Sequence, residues 1–124
     1  MINNDSKKTL VMGASDNPTR YSYLALNRLR EHGHPVLAIG SHKATVAGVE
    51  IETAMKDHEQ VDTVTMYLNP NNQKGYYQYL LSLKPRRIIF NPGAENPELE
   101  ELARKNGIQV QEACTLVLLS TGQF

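Results

Sequence analysis

The sequence predicts an open, doubly wound parallel α/β sheet of about five strands, a three-layer αβα arrangement. Three observations lead there. Short apolar or β-branched runs at residues 9–12, 35–39, 61–68, 88–90 and 108–110 alternate with stretches of helical spacing, the pattern of successive βαβ units. The run at 35–39 is continuously apolar, as a strand covered by helices on both faces should be. The first and fourth runs lead straight into loops of glycine, serine, asparagine and proline, and sheets of this kind bind ligands at the carboxyl ends of their strands.

At 124 residues the chain is expected to form one domain, residues 1–124, because a second core of useful size would not fit. Thirteen Lys and Arg balance thirteen Asp and Glu, for a formal net charge of zero. Neither nucleic acid nor a membrane surface is therefore expected as the main partner, and any attraction for phosphate must be local. The single Cys114 leaves no intrachain disulfide framework and no cysteine-rich zinc site. No signal-type apolar run follows Met1, and no apolar segment approaches the ~20 residues of a bilayer span. The expectation is a cytoplasmic protein.

Residues 1–8 are polar and carry no motif. The first strand, residues 9–12, turns through Gly13-Ala14-Ser15-Asp16-Asn17-Pro18-Thr19-Arg20 into a helix starting near Tyr21 or Ser22. A helix start gathers unpaired main-chain N–H groups and a positive dipole end, which together attract an anion. Gly13 and Ser15 are candidate main-chain phosphate donors, and Ala14 adds little bulk. Asn17 punctuates the turn, Ser22 suits the N-cap, and Arg20 can pair bidentately with a phosphate. An ordinary strand-to-helix loop with a surface arginine is the plainer alternative.

The first helix, to about residue 32, has Ser22, Ala25, Leu26 and Leu29 on one face and stops at Gly33. The second strand, 35–39, ends in Gly40-Ser41-His42-Lys43. An acidic residue there would hold the ribose hydroxyls of NAD. Ser41, His42 and Lys43 suit a ribose phosphate better, which favours NADP or coenzyme A. Residues 44–51, interrupted by Gly48, read as an extended excursion or small hairpin, and residues 53–58 as a short helix capped by Thr53.

The third strand ends at Tyr67-Leu68-Asn69, and Asn69-Pro70 forms a helix start. The helix to about Leu83 carries Tyr76, Tyr77 and Tyr79, residues suited to core packing or a subunit interface. The fourth strand, 88–90, runs into Asn91-Pro92-Gly93-Ala94-Glu95-Asn96, a second loop of the opening type. Asn96 caps the next helix with Pro97 at its first position, and Asn106-Gly107 end it. Residues 108–110 form the fifth strand, and the apolar stretch 112–119 closes the sheet edge or packs beneath the first helix. Four loops, with Leu68, Asn91, Pro92, Gly93 and Asn96 as candidate contacts on the far side, thus converge on one crevice.

The histidines, His32, His34, His42 and His58, show no metal-ligand spacing, so no metal is expected. Cys114 is a candidate thiol beside an apolar run, or simply a small core residue. No catalytic set emerges.

In these pieces the chain resembles the CoA-binding domain family, small Rossmann-like proteins akin to the CoA-binding domain of succinyl-CoA synthetase α-subunits. The likeness rests on Val11-Met12-Gly13-Ala14-Ser15-Asp16-Asn17-Pro18, on Arg20 with Ser22 and Tyr23, and on Leu29-x-x-x-Gly33-His34-x-Val36. Gly48, Val61-Asp62-x-Val64, the 91–96 loop, Ala103-x-x-x-Gly107 and Glu112-x-Cys114 extend it over nearly all of residues 8–116. The resemblance implies coenzyme A with its phosphates at residues 13–20 and its adenosine end near residues 41–43. The family commonly has Asn-Pro-Lys after the second strand; this chain keeps Lys43 but not the Asn-Pro. The phospho-histidine of the synthetases belongs to a second domain that this chain does not contain.

The expected function is therefore a nucleotide-cofactor-binding module for coenzyme A or an acyl-CoA, without a catalytic centre of its own. An NADP-binding oxidoreductase-like domain and a non-binding scaffold remain alternatives, and a homo-oligomer paired through the Tyr-rich helix is left open.

Overall fold

A computed structural model describes residues 6–124; residues 1–5 of the polar N-terminal stretch lie outside the described residues. Seven strands form one sheet in the order β3-β4-β2-β1-β5-β6-β7. They are β1 (Thr9–Ala14), β2 (Val36–Gly40), β3 (Ala44–Val46), β4 (Val49–Glu52), β5 (Thr63–Met66), β6 (Arg87–Phe90) and β7 (Gln109–Glu112). All neighbours pair in parallel except β3, which runs antiparallel to β4. The helices are α1 (Tyr21–Glu31), α2 (Pro70–Gln73), α3 (Tyr77–Ser82), α4 (Pro97–Lys105) and α5 (Thr115–Ser120).

The sheet has seven strands rather than about five because the excursion at residues 44–51 folds as a hairpin and joins it. Ala47 and Gly48 both take positive φ, +53° and +77°, the backbone of a tight two-residue hairpin turn. Val46, Val49 and Ile51 are then buried against Leu26 and Leu29 of α1.

Alternation along the strands builds two cores. Leu10 and Met12 of β1 pack with Met66, Leu80, Phe90 and Leu99 on one face. Val11, between them in sequence, packs with Ala38, Leu26, Leu29 and Leu119 on the other. Side chains of successive strand residues point to opposite faces, so a strand apolar throughout serves both layers. The stretch after β7 becomes α5, which lies beside α1.

Three helix expectations change. Ser22 is not the N-cap of α1. Arg20 holds that position in extended backbone without a side-chain cap, and Ser22 is buried at 4 % exposure inside the first turn. The start is set upstream: Asn17 Oδ1 accepts from the Thr19 N–H and hydroxyl at 3.0 and 2.8 Å, and Arg20 N donates to Asn17 O at 3.0 Å. Residues 53–58 form no helix. Their backbone is held from outside, where the Tyr79 hydroxyl donates to Lys56 O at 2.7 Å. The helix expected from Pro70 to Leu83 is broken into α2 and α3 by a 3₁₀ turn at Lys74–Tyr76, centred on Gly75, the weakest helix former there. By contrast, Asn69 and Asn96 cap α2 and α4 as expected, accepting from Asn72 N at 3.0 Å and Leu99 N at 3.3 Å.

Candidate functional site

Parallel strands bring the loops after β1, β2, β5 and β6 to one end of the sheet. At that end a cavity of about 280 Å³ is lined by Met12, Gly13, Ile39, Gly40, Ser41, Leu68, Asn72 and Tyr76. Its floor is apolar, and a backbone-rich rim, an amide and a phenol surround it. A larger groove of about 400 Å³ lies between α1 and α5, but it gathers no strand ends or turn loops.

Gly13 sits at φ +86°. A Cβ there would lie 3.0 Å from Leu68 N and 3.1 Å from Tyr67 C, so glycine is needed because the chain leaving β5 crosses directly over it. Within the same loop, Ser15 Oγ accepts from Asn17 N at 3.0 Å. The Ser15 and Asn17 side chains thus shape the turn. Arg20 is exposed, and no ion pair holds it among the described residues.

The loop after β2 is tied to the first across the crevice mouth. His42 Nε2 lies 2.9 Å from Asp16 Oδ1, and His42 Nδ1 lies 3.3 Å from Ser41 Oγ. Lys43 is not among the residues lining the cavity between these loops; it borders a depression on the hairpin with Thr45, Glu50 and Glu52.

On the β6 side, the side chains of Asn91 and Asn96 are committed to the framework. Asn91 is 2 % exposed; its Nδ2 donates to Thr65 Oγ1 at 2.7 Å and Met66 O at 2.9 Å, while Oδ1 accepts from Thr115 N at 2.8 Å. Asn96 Nδ2 donates to Gln73 Oε1 at 2.9 Å and to the Tyr77 hydroxyl at 2.8 Å. Pro92 and Gly93 remain exposed, with Gly93 at φ +92° and its N–H donating to Glu95 Oε1 at 2.7 Å. Beneath this loop, burial pushes the Tyr67 phenol up to about 12, so it stays protonated beside the hydroxyl pair of Thr65 and Thr115.

Of the sequence candidates, the cavity therefore gathers Gly13, Ser41 and Leu68, with Ala14, Ser15, Asn17, Arg20 and His42 in the loops at its mouth. Ser22, Asn91 and Asn96 turn inward. Met12, Ile39, Gly40, Asn72 and Tyr76 also line the cavity and were not candidates from the sequence. Asn72 and Tyr76 are four residues apart in the segment after β5, a spacing that places side chains on one side of a helical turn, and that was the available signal.

The family profile described as CoA binding domain matches residues 7–120. The chain belongs to the CoA-binding domain family. Among solved structures similar to this CoA-binding domain, an uncharacterized protein is 52 % identical with a TM-score of 0.95, covering 98 % of this chain and 100 % of that one. A protein from Thermus thermophilus is 25 % identical with a TM-score of 0.84, covering 96 % and 91 %. A hypothetical protein from Pyrococcus horikoshii shares the fold at 19 % identity and a TM-score of 0.85, covering 94 % and 84 %. No helix among the described residues is long and apolar enough to cross a membrane. No cluster of three or more His, Cys, Asp or Glu suited to a metal ion occurs among them either.

Proposed function

We propose that this CoA-binding domain holds coenzyme A or an acyl-CoA at the carboxyl ends of β1, β2 and β5, acting as a binding module. The observation that carries this reading is the cavity built on Gly13, Gly40, Ser41 and Leu68, floored by Met12 and Ile39 and flanked by Asn72 and Tyr76. At about 280 Å³ it falls just under the roughly 300–1,000 Å³ of sites that enclose whole ligands. It fits the adenosine end, with the diphosphate at residues 13–20 and the pantetheine arm running outside along the strand ends. Ser41 and His42 at the rim, with no acidic residue after β2, suit a phosphorylated ribose better than free hydroxyls. The tyrosine helix gives little support to a scaffold reading, because the Tyr77 and Tyr79 hydroxyls donate within the chain, to Glu98 and Lys56.

Isothermal titration with coenzyme A, NADP and NAD tests the proposal. Micromolar binding of coenzyme A is expected, and its absence overturns the reading; tighter binding of NADP would transfer the site to the oxidoreductase-like alternative. Arg20→Ala is expected to weaken coenzyme A by ~1.5–3 kcal/mol, the loss of a charge-assisted phosphate contact. An unchanged affinity would remove Arg20 from the site.

The Asp16–His42 pair gives a second check. A carboxylate beside a diphosphate loop repels the ligand, and a hydrogen bond with the histidine ring 2.9 Å away turns it from the loop. His42→Ala should weaken binding and Asp16→Asn strengthen it. In the double variant the two effects should fail to add by about 0.2–1 kcal/mol, the range of an exposed pair. Strict additivity in the titrations would show that the contact does not bear on the ligand.

A further inference from the structure

A glutamine amide has two donors and an acceptor with two lone pairs, and removing it from water is tolerated only when they are met. Gln73, the last residue of α2, has no solvent exposure. Its Nε2 donates to Leu68 O and to Ala94 O, both at 2.8 Å, and its Oε1 accepts from Asn96 Nδ2 at 2.9 Å. One side chain therefore fastens the segment after β5, the loop after β6 and the cap of α4. Leu68, whose carbonyl it holds, lies against Gly13 through its own N and Cδ2. Asn72 and Tyr76, on either side of Gln73 in sequence, are cavity wall.

We infer that Gln73 is a positioning residue that presets the width of the crevice by locking the loops after β5 and β6 to each other. The inference rests on the coenzyme A reading for what the crevice receives. An apolar side chain of the same size would fill the space but leave the Leu68 and Ala94 carbonyls without partners and Asn96 Nδ2 with the Tyr77 hydroxyl alone. Those loops would then move outward to reach water, carrying Leu68, Asn72 and Tyr76 with them. Holding the site in its bound shape before the ligand arrives is what sustains affinity.

Two variants test it: Gln73→Met, which keeps the volume and loses the hydrogen bonds, and Gln73→Glu, which keeps the shape but donates only when protonated. Amide exchange is measured in the ligand-free protein and coenzyme A is titrated at a temperature where each variant is folded. In Q73M, exchange at Tyr67 and Ala94, whose N–H groups donate to Met12 O and Asn91 O, should accelerate while the amides of β1 and β6 keep their protection, and affinity should drop about tenfold, a difference of about 1.4 kcal/mol. In Q73E the deficit relative to the unaltered protein should shrink as pH falls, because a buried carboxyl protonates readily and regains a donor. Unchanged exchange at Tyr67 and Ala94 in Q73M overturns the inference, as does protection lost evenly across the whole sheet. A protein that does not bind coenzyme A defeats the ligand reading alone, and the exchange comparison still decides the role of Gln73.

Discussion

Replacing Gly40 with alanine is expected to destabilise the protein by about 3 kcal/mol or more, the upper end of what overpacking costs. The reason is where the new methyl would go. It would stand 2.3 Å from Ala14 O and 2.9 Å from Ile51 Cγ2, and the first obstacle is main chain that cannot rotate away. At this point β1 and β2 change register, between Met12 and Ala14, and Ala14 pairs with Gly40 only because no side chain separates them. Forcing them apart opens the cavity between their ends, so coenzyme A affinity should fall along with the unfolding midpoint. Urea unfolding followed by titration of the folded variant checks both; a G40A protein as stable as the original would show that β1 and β2 can part without cost.

Asn91→Ala is expected to cost about 3–5 kcal/mol of stability. Its amide serves Thr65 Oγ1, Met66 O and Thr115 N at once, in a pocket closed to water. Truncation strands several buried groups, each worth about 1–3 kcal/mol when left unmet. The effect should appear mainly in unfolding midpoints, with the start of α5 loosened because Thr115 N loses its partner. A midpoint shift under about 1 kcal/mol would mean that water enters and replaces the amide.

The two predictions also show how far the sequence could be read. Five of the seven strands were legible because apolar runs such as residues 35–39 and 88–90 leave few alternatives once helices must cover both faces. Caps at Asn69 and Asn96 were legible because asparagine before proline is a local signal. The start of α1 was not, because an Asn17-centred turn displaced the cap that Ser22 alone suggests. Gly13 was singled out for the right position, yet the contact that demands glycine comes from Leu68, 55 residues on in the chain. Gly40 and Gln73 were invisible for the same reason: their importance is a distance across the fold, and no spacing along the chain encodes it. Asn91 and Asn96 looked like ligand groups because asparagine in a turn loop is equally suited to serving water, a cofactor or its own backbone, and only burial separates these uses.

The reversed hairpin strand β3 has a consequence beyond adding to the sheet. It ends the parallel array with three residues running the wrong way for another crossover unit, while the opposite margin, β7, carries Gln109, Gln111 and Glu112. Short, polar or direction-reversed borders are poor templates for strand addition by a neighbouring molecule. A crowded solution of this protein should therefore resist fibril seeding from its native state, and copies that do associate should meet through helices and not by sharing strands.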